Sequence, residues 1–584
     1  MRLARPSWGN KMNQITKNEF KKRWNSLKTE AASWTASWQM LSDYINQKRG
    51  WFASRPNRGQ MINHQILLEN HATQANKTLA SGLLSGMTSP SRPWFKLTLD
   101  DVTMDMAPGA RAWLDEVQRR MEKVMNKSNI YSALYNAYEE LGQFGTSCFL
   151  ILEDFDTVIR CRSYTAGEYY LSIDSRWRIN GFARYYWMTV EQLVKEFGLE
   201  SCSPQVQAQW KNGQADNWIC ISHLIEENTK RTEGVETFDN KKYRSAYWEY
   251  GNDNGVLAVR GYDRFPVIAT RWEAATTDQI YGFGPGWYAL GNVKELQRTR
   301  LDKLIAQEKM HNPPMIEDAS VLTHSNIMPG GVTKVTGQTP NTGVRPAYQI
   351  NPVLESFNLL EAELKSSIDR DFFVNLFMML LNVDTGKMTA TEVSERQQEK
   401  IMMMGPVLYR LQEELLDPVM ELIYGIMLDV GMIPPPPEEL AGMALRVKYV
   451  SILAQAQQAL GVEQINRVVG YVGNIVASIG PINPQAAQEA IDTLNIGESV
   501  REVSTLEGIP ARLVRTREEV VTLNEQRAEA QAQAAQAQQI GAAAQIADTA
   551  ASATKKLSDA KDQSGSSALD KLMAQTKQVQ GAGR

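Results

Sequence analysis

The chain of 584 residues has little of what usually announces a chemistry. Cysteine is scarce: Cys148, Cys161, Cys202 and Cys220 contain no CxxC pair. That excludes a disulfide framework and fits a reducing compartment. The five histidines, His64, His71, His223, His311 and His324, form no H-E-x-x-H and no run with metal-ligand spacing, so no metal is expected. Asp369 and Asp371 stand two apart and would point away from each other on a helix, which excludes a paired-carboxylate site. No G-x-S-x-G elbow is present. Long apolar runs are missing too. The strongest, "FFVNLFMMLLNV" from Phe372 to Val383, falls short of the roughly 20 residues of a membrane span and reads as a buried helix end. Lys17, Lys21, Lys22 and Arg23 are followed by no apolar h-region, so no secretory signal is expected. A basic excess is also lacking. With a net charge of -4 the chain has no footprint for tight duplex binding, and contact with DNA must be loose or local.

Phosphate-binding loops fail on inspection. "QIYGFGPGW", from Gln279 to Trp287, places Gly282, Gly284 and Gly286 as G-x-G-x-G, with Trp287 where a dinucleotide fingerprint needs its last glycine. Gly386 and Lys387 are followed by Met388, and Leu381 stands where a Walker loop needs its first glycine. No cofactor and no enzymatic activity are expected. The first glycine-rich stretch reads instead as a mechanical joint, with permissive backbone at the glycines and a fixed helix entry at Pro285.

What is present is a large folding chain. Hydrophobic residues make up 43% and charged residues 22%, close to globular averages, and the length calls for more than one module. Trp24, Leu27, Trp34, Trp38, Leu41 and Ile45 give a helical period between Lys17 and Gly86, and a second helical block runs from Ala110 to Leu141. Between Thr146 and Ala275, short aromatic and β-branched runs separated by Gly, Asp and Asn predict strands. One short helix interrupts them, with Thr189 and Gln192 as its capping box. Helix returns after the glycine-rich loop, with Leu290, Val293, Leu301, Leu304 and Ile305 in one stripe ended by "NPPM" at Asn312. A Gly/Thr/Pro-rich segment follows. A second helix then starts at Asn351-Pro352 and carries Val353, Phe357, Leu360, Leu364, Ile368, Phe372 and Leu376. "NVDTGKM" leads to a third helix, capped by Thr389 with Glu392, bent at Gly405-Pro406 and Asp417-Pro418 and stopped by Pro434 to Pro437. A helical region to about Ser499 and an Ala/Gln-rich tail from about Glu525 complete the chain. The tail's small residues make it a weak or disordered helix on its own.

Four stretches carry a family resemblance: "LASGLLSGMTSPSRPWFKL" (Leu79 to Leu97), "YGFGPGWYALGNVKELQ" (Tyr281 to Gln297), "NPPM", and "MTATEVSERQQE" (Met388 to Glu399). In combination the chain resembles the head-to-tail connector, or portal, proteins of short-tailed bacteriophages, from its N-terminal helices to about Gly431. That family commonly has Arg in the G-x-G-P loop where this chain has Phe283, so no charged role is carried over there.

The resemblance implies an α+β, portal-type fold: a helical part of the wing over 1–145, a β-rich wing over 146–285, and a first stem helix over 286–312. The clip would occupy 313–351, a second stem helix 352–381, a tunnel loop 382–388 and a bent wing helix 389–432. A crown over 433–500 and a C-terminal helical barrel or tail over 501–584 would follow. It implies a dodecameric ring at one capsid vertex with double-stranded DNA in its tunnel, assembled in the host cytoplasm and carried in the virion. The partners implied are the terminase large subunit, a tail adaptor protein, the major capsid and scaffold proteins, and internal core or ejection proteins, with no membrane. In that frame Asn382, Thr385 and Lys387 of the tunnel loop would touch DNA. Glu355, Glu361, Glu363, Asp369 and Asp371, where they face the lumen, would repel it and keep it sliding. Gly282, Gly284, Pro285 and Gly286 would form the wing–stem joint. Two other readings are a nucleotide-dependent enzyme using the glycine loop, and a non-enzymatic internal core or scaffold protein of the virion.

Overall fold

A computed structural model describes residues 10–52, 67–99, 108–232, 240–252, 255–317, 344–347, 354–381, 404–437, 445–450, 470–474, 476–478, 517–559 and 572–573, with isolated positions between them. The tunnel-loop candidates Asn382, Thr385 and Lys387, the Thr389–Glu392 cap and the Asn351-Pro352 helix start lie outside the described residues. The chain divides into one unit over Met1–Asn495 and a second over Ile496–Arg584.

The first unit opens with α1 (Asn10–Tyr44) and α2 (His71–Met87). The aromatic period of α1 does what its spacing requires, since Trp24, Leu27, Trp38 and Leu41 are all buried, as is Ile45 just beyond it. The expected block from Ala110 to Leu141 is two helices, α3 (Pro108–Lys127) and α4 (Ile130–Phe144). Helix α4 ends on Gly145 at φ 81°, a left-handed cap that glycine adopts without strain.

Strands fill the next segment: β2 (Thr146–Asp154), β3 (Val158–Tyr164), β4 (Tyr169–Ile173), β5 (Ile179–Thr189), β6 (Trp218–Glu227), β7 (Tyr243–Glu249), β8 (Ala258–Tyr262) and β9 (Val267–Arg271). They form a three-stranded sheet, β3-β2-β9, and a five-stranded sheet, β4-β5-β6-β7-β8, antiparallel throughout. Consecutive strands are antiparallel neighbours, as is usual for elements adjacent in sequence, and so β4 to β8 keep their sequence order although the β5–β6 connection is long. Between β5 and β6 lie α5 (Val190–Phe197), with the Thr189–Gln192 capping box in place, and α6 (Pro204–Lys211). The second of these was not expected. Its signal is Ser203-Pro204, where the serine hydroxyl accepts from Val206 N and proline takes the first turn.

Strand β1 (Phe95–Leu99) pairs antiparallel with the last strand of the unit, β12 (Leu445–Tyr449). The region after Pro437 was expected to be helical, so this strand is a correction. Its alternation is too short to read without the partner, which comes from more than 300 residues upstream.

Helix α7 (Pro285–His311) leads into β10 (Met315–Glu317), which pairs antiparallel with β11 (Val344–Pro346), and α8 (Leu354–Asp371) returns alongside α7. The single helix expected over 352–381 is broken. Phe373 has φ 55°, a left-handed value that a bulky residue rarely adopts, and α9 (Val374–Leu381) sets off anew from it. The break lets Phe372 and Phe377 both reach the core, with Phe377 packed onto Gly82 of α2, where a Cβ would come within 2.1 Å of the ring.

The expected bent helix is seen from residue 404 on as α10 (Gly405–Leu411), one π-helical turn over Gln412–Leu416, and α11 (Asp417–Asp429). Pro418 lacks the N–H that would bond the Glu414 carbonyl; the Thr270 hydroxyl of β9 donates to that oxygen instead, at 3.2 Å. In the second unit, α12 (Arg517–Asp559) is one 43-residue helix through the Ala/Gln-rich segment.

Candidate functional site: a glycine joint and a polar helix hairpin

The glycine-rich stretch connects β9 to α7, and several backbone groups tie it to its surroundings. Trp272 N donates to Gly145 O at 2.9 Å, Gly282 N donates to the Thr146 hydroxyl at 2.8 Å, and Glu273 and Phe283 exchange a pair of bonds at 3.1 and 2.7 Å. Pro285 is the first residue of α7, as its fixed φ favours.

The glycines are there for a different reason from the one the sequence suggested. Gly284 has extended backbone, φ -133° and ψ 177°, and neither Gly282 nor Gly286 has positive φ. Space is what they supply. A Cβ on Gly284 would sit 2.3 Å from Leu141 O, one on Gly286 2.5 Å from Gln143 O, and one on Gly282 2.6 Å from Gly145 O. From the other side, a Cβ on Gly145 would meet the carbonyl carbon of Phe283 at 2.3 Å. The loop therefore lies backbone against backbone on the C-terminal end of α4. The same oxygens answer the phosphate question: four carbonyls, Leu141, Gln143, Gly145 and Glu273, crowd the loop and would repel an anion.

Aromatic rings close the joint from outside. Phe283 lies 5.3 Å from Trp34 and 5.0 Å from Trp287, Trp38 meets Tyr281 edge-on at 4.9 Å, and Trp287 Nε1 donates to Phe144 O at 2.8 Å. Phe283, standing where the portal proteins this chain resembles commonly have Arg, is a packing residue here. Beside the joint, Arg271 grips the Glu414 carboxylate of the π-turn through Nε at 3.2 Å and Nη2 at 2.5 Å, and its Nη1 donates to Gln279 O at 2.6 Å. Neither partner of this half-buried ion pair is visible in the sequence. The only hint is Pro418, which creates the irregular turn that carries Glu414.

Along the hairpin of α7 and α8 the character changes. Ala289, Val293 and Leu296 bury an apolar face in the upper half of α7, but farther down the buried residues are Thr299 and Lys303. Lys303 Nζ contacts Glu361 at 3.1 Å and Asn358 Oδ1 at 2.6 Å, and Arg300 reaches Glu361 at 3.5 Å. Leu301, Leu304 and Ile305, expected on the same stripe as Val293, are exposed. A polar clasp binds the top of the hairpin to the start of α2. Gln297 accepts from Leu68 N and donates to Glu69 O, the Glu69 carboxylate meets Lys365 at 3.1 Å, and His71 meets Asp369 at 2.8 Å.

The five acidic candidates thus divide. Glu361 is buried against Lys303, Asp369 is held by His71, and Asp371 is half-buried beside Asn292, where desolvation raises its pKa. Glu355 and Glu363 are exposed, with no ion pair among the described residues. Among the described residues no group of three or more His, Cys, Asp or Glu is placed to hold a metal ion, and no helix is long and apolar enough to cross a membrane.

Residues 17–514 match the family model for bacteriophage head to tail connecting protein. The chain is 38% identical to the probable portal protein of Bordetella phage BPP-1 over 532 residues, 91% of this chain and 94% of that protein. It is also 38% identical to the portal protein of Salmonella phage epsilon15 over 543 residues, 92% of this chain and 96% of that one.

Proposed function

The chain belongs to the bacteriophage head to tail connecting protein family, and we propose from that premise that twelve copies form a ring at one capsid vertex, the conduit through which DNA is packaged and ejected. The observation that carries this reading is the helical hairpin. Two long antiparallel helices leave a β-rich body, pass through a two-stranded ladder and return, which suits a stem with a clip at its far end. The β-sheets with α1 to α6 supply the wing, and the packed glycine joint fixes the angle at which the stem leaves it. The clip is the natural docking face for the terminase large subunit and later the tail adaptor. The wing and crown face the capsid, scaffold and internal core or ejection proteins, in a virion component assembled in the host cytoplasm. Residues 382–388, with Asn382, Thr385 and Lys387, are assigned to the tunnel on chain order, because they follow α9 and precede the bent helix. Of the acids proposed for the tunnel wall, Glu355 and Glu363 are exposed and form no ion pair among the described residues. The role is structural, with no nucleotide turnover.

Negative-stain microscopy and native mass measurement of the purified full chain test the proposal. Rings with a central hole and a mass near twelve copies are expected. A monodisperse monomer or an irregular aggregate without a hole at all concentrations would instead favour an internal core or scaffold protein.

A further inference from the structure

The far half of α7 is built inside out. Its buried residues are Thr299 and Lys303, and Lys303 reaches Asn358 and buried Glu361 of α8, while Leu301, Leu304 and Ile305 face away at 38%, 43% and 37% exposure. On α8 the exposed large apolar side chain is Leu359, at 68%. Helices that fold alone put such residues in the seam. Here the seam is closed by a buried ion pair, and the apolar groups stand outside, where only another protein can cover them.

The order of residues on these two outer faces identifies the cover. Arg298, Leu301, Ile305 and Lys309 follow one another at three- and four-residue steps, so they form one strip along α7, cation first and last with apolar residues between. Glu355, Leu359 and Glu363 form a strip along α8 at four-residue steps, acid first and last with leucine between. The internal bonds set the relative heights of the two helices. Lys303 is level with Asn358 and Glu361, and Asn292 with Ser367. Each step down α7 is therefore a step back along α8. On that register Arg298 stands near the height of Glu363, Leu301 and Ile305 near Leu359, and Lys309 near Glu355. Among the described residues these do not pair with one another, and the one ion pair on Arg298 is the exposed one to Asp302, at 3.0 Å.

We infer that the α7 strip of one copy seats on the α8 strip of the next, with Arg298 opposite Glu363, Lys309 opposite Glu355, and Leu301 and Ile305 against Leu359. A rotation about an axis running along the hairpin keeps heights unchanged, so matching heights become matching contacts. A contact between two different faces of identical chains is head-to-tail, and without a shift in height along the axis it closes into a ring when the rotation divides a full turn. The inference rests on the ring proposed above and deepens it. It also removes Glu355 and Glu363 from the tunnel wall and places them between subunits.

The test uses the full chain with Arg298→Glu or Glu363→Arg, followed by native mass measurement over a concentration series. All the altered side chains are exposed, so each variant should melt like wild type. Each alone opposes like charges at every contact, and the concentration for half-assembly should rise about tenfold or more. An equimolar mixture of the two variants should assemble like wild type, because alternating copies restore opposite charges at each contact. Leu301→Asp should block assembly without rescue by either variant. If wild type forms rings and both single variants form them equally well, the strips face lumen or solvent and the inference is wrong. If both variants fail and the mixture fails too, the two strips do not meet each other. Wild type that stays monomeric throughout overturns the ring itself, a result distinct from either.

Discussion

The two halves of α7 solve opposite problems with one continuous helix. From Pro285 to Leu296 it is locked to the body of its own chain by glycine-to-backbone contact, tryptophan rings and buried aliphatics. From Arg298 to His311 its inner face is polar and its leucines face outward. The first arrangement tolerates almost no change of shape, since backbone atoms cannot move aside as side chains do. The second leaves the chain short of apolar burial until something covers it. A rigid root and an unsatisfied shaft together describe a part made to be held at a fixed angle and completed by neighbours.

The largest effect should come at the root. Gly284→Ala drives a Cβ to 2.3 Å from Leu141 O, and Gly145→Ala adds a left-handed backbone to a similar collision. Each should cost several kcal/mol, on the order of 3 or more, and leave the protein largely insoluble, read as soluble yield and circular dichroism. Gly291→Ala, in the second turn of α7 with nothing within 4 Å, should instead stabilise by about 0.5–1 kcal/mol. If Gly284→Ala and Gly291→Ala behave alike in thermal melts, the root is not packed as described.

Next in size is the shaft's buried ion pair. Lys303→Met leaves Glu361 buried with only the longer Arg300 contact and should destabilise by about 2–4 kcal/mol, whereas Lys303→Met with Glu361→Leu should lie near wild type. Denaturant melts of the two variants measure this. A double variant as unstable as the single one would mean that the polar seam stabilises the hairpin by more than mutual compensation.

The smallest effect is expected against the rooted half, where Asp371 of α8 sits half-buried beside Asn292. Burial raises its pKa in the folded chain above the ordinary aspartate value, so the folded state binds the proton more tightly than the unfolded one. The preference favours folding at acid pH and is lost as pH rises through the folded pKa. Asp371→Asn should therefore raise the melting temperature slightly at pH 7, with the gain shrinking toward pH 4. A gain that stays constant with pH would assign it to something other than the charge.

Much of this protein is written in its sequence because the relevant forces are local. The period of Trp24, Leu27, Trp38 and Leu41 sets a buried helix face, Thr189 and Gln192 close a cap three residues apart, and Pro285 begins a helix wherever the chain allows one. The order of helical and β-rich segments up to His311 was legible on the same grounds, whereas the family was read from the resemblance of four longer stretches. What the sequence could not express is which distant atoms meet. The stripe of α7 looks uniform until Lys303 is found buried against Glu361 and Leu301 outside, because a period records which residues share a face but not what that face touches. Phe373 breaks a helix whose spacing is unbroken, since the place for Phe377 lies on Gly82, nearly 300 residues away. Strand β12 exists by virtue of β1, and the π-turn's orphan carbonyl is satisfied by Thr270. The glycines of the joint were read from sequence as freedom of backbone. Tertiary structure shows them as absence of side chain, because the carbonyls of α4 occupy the space a Cβ would need.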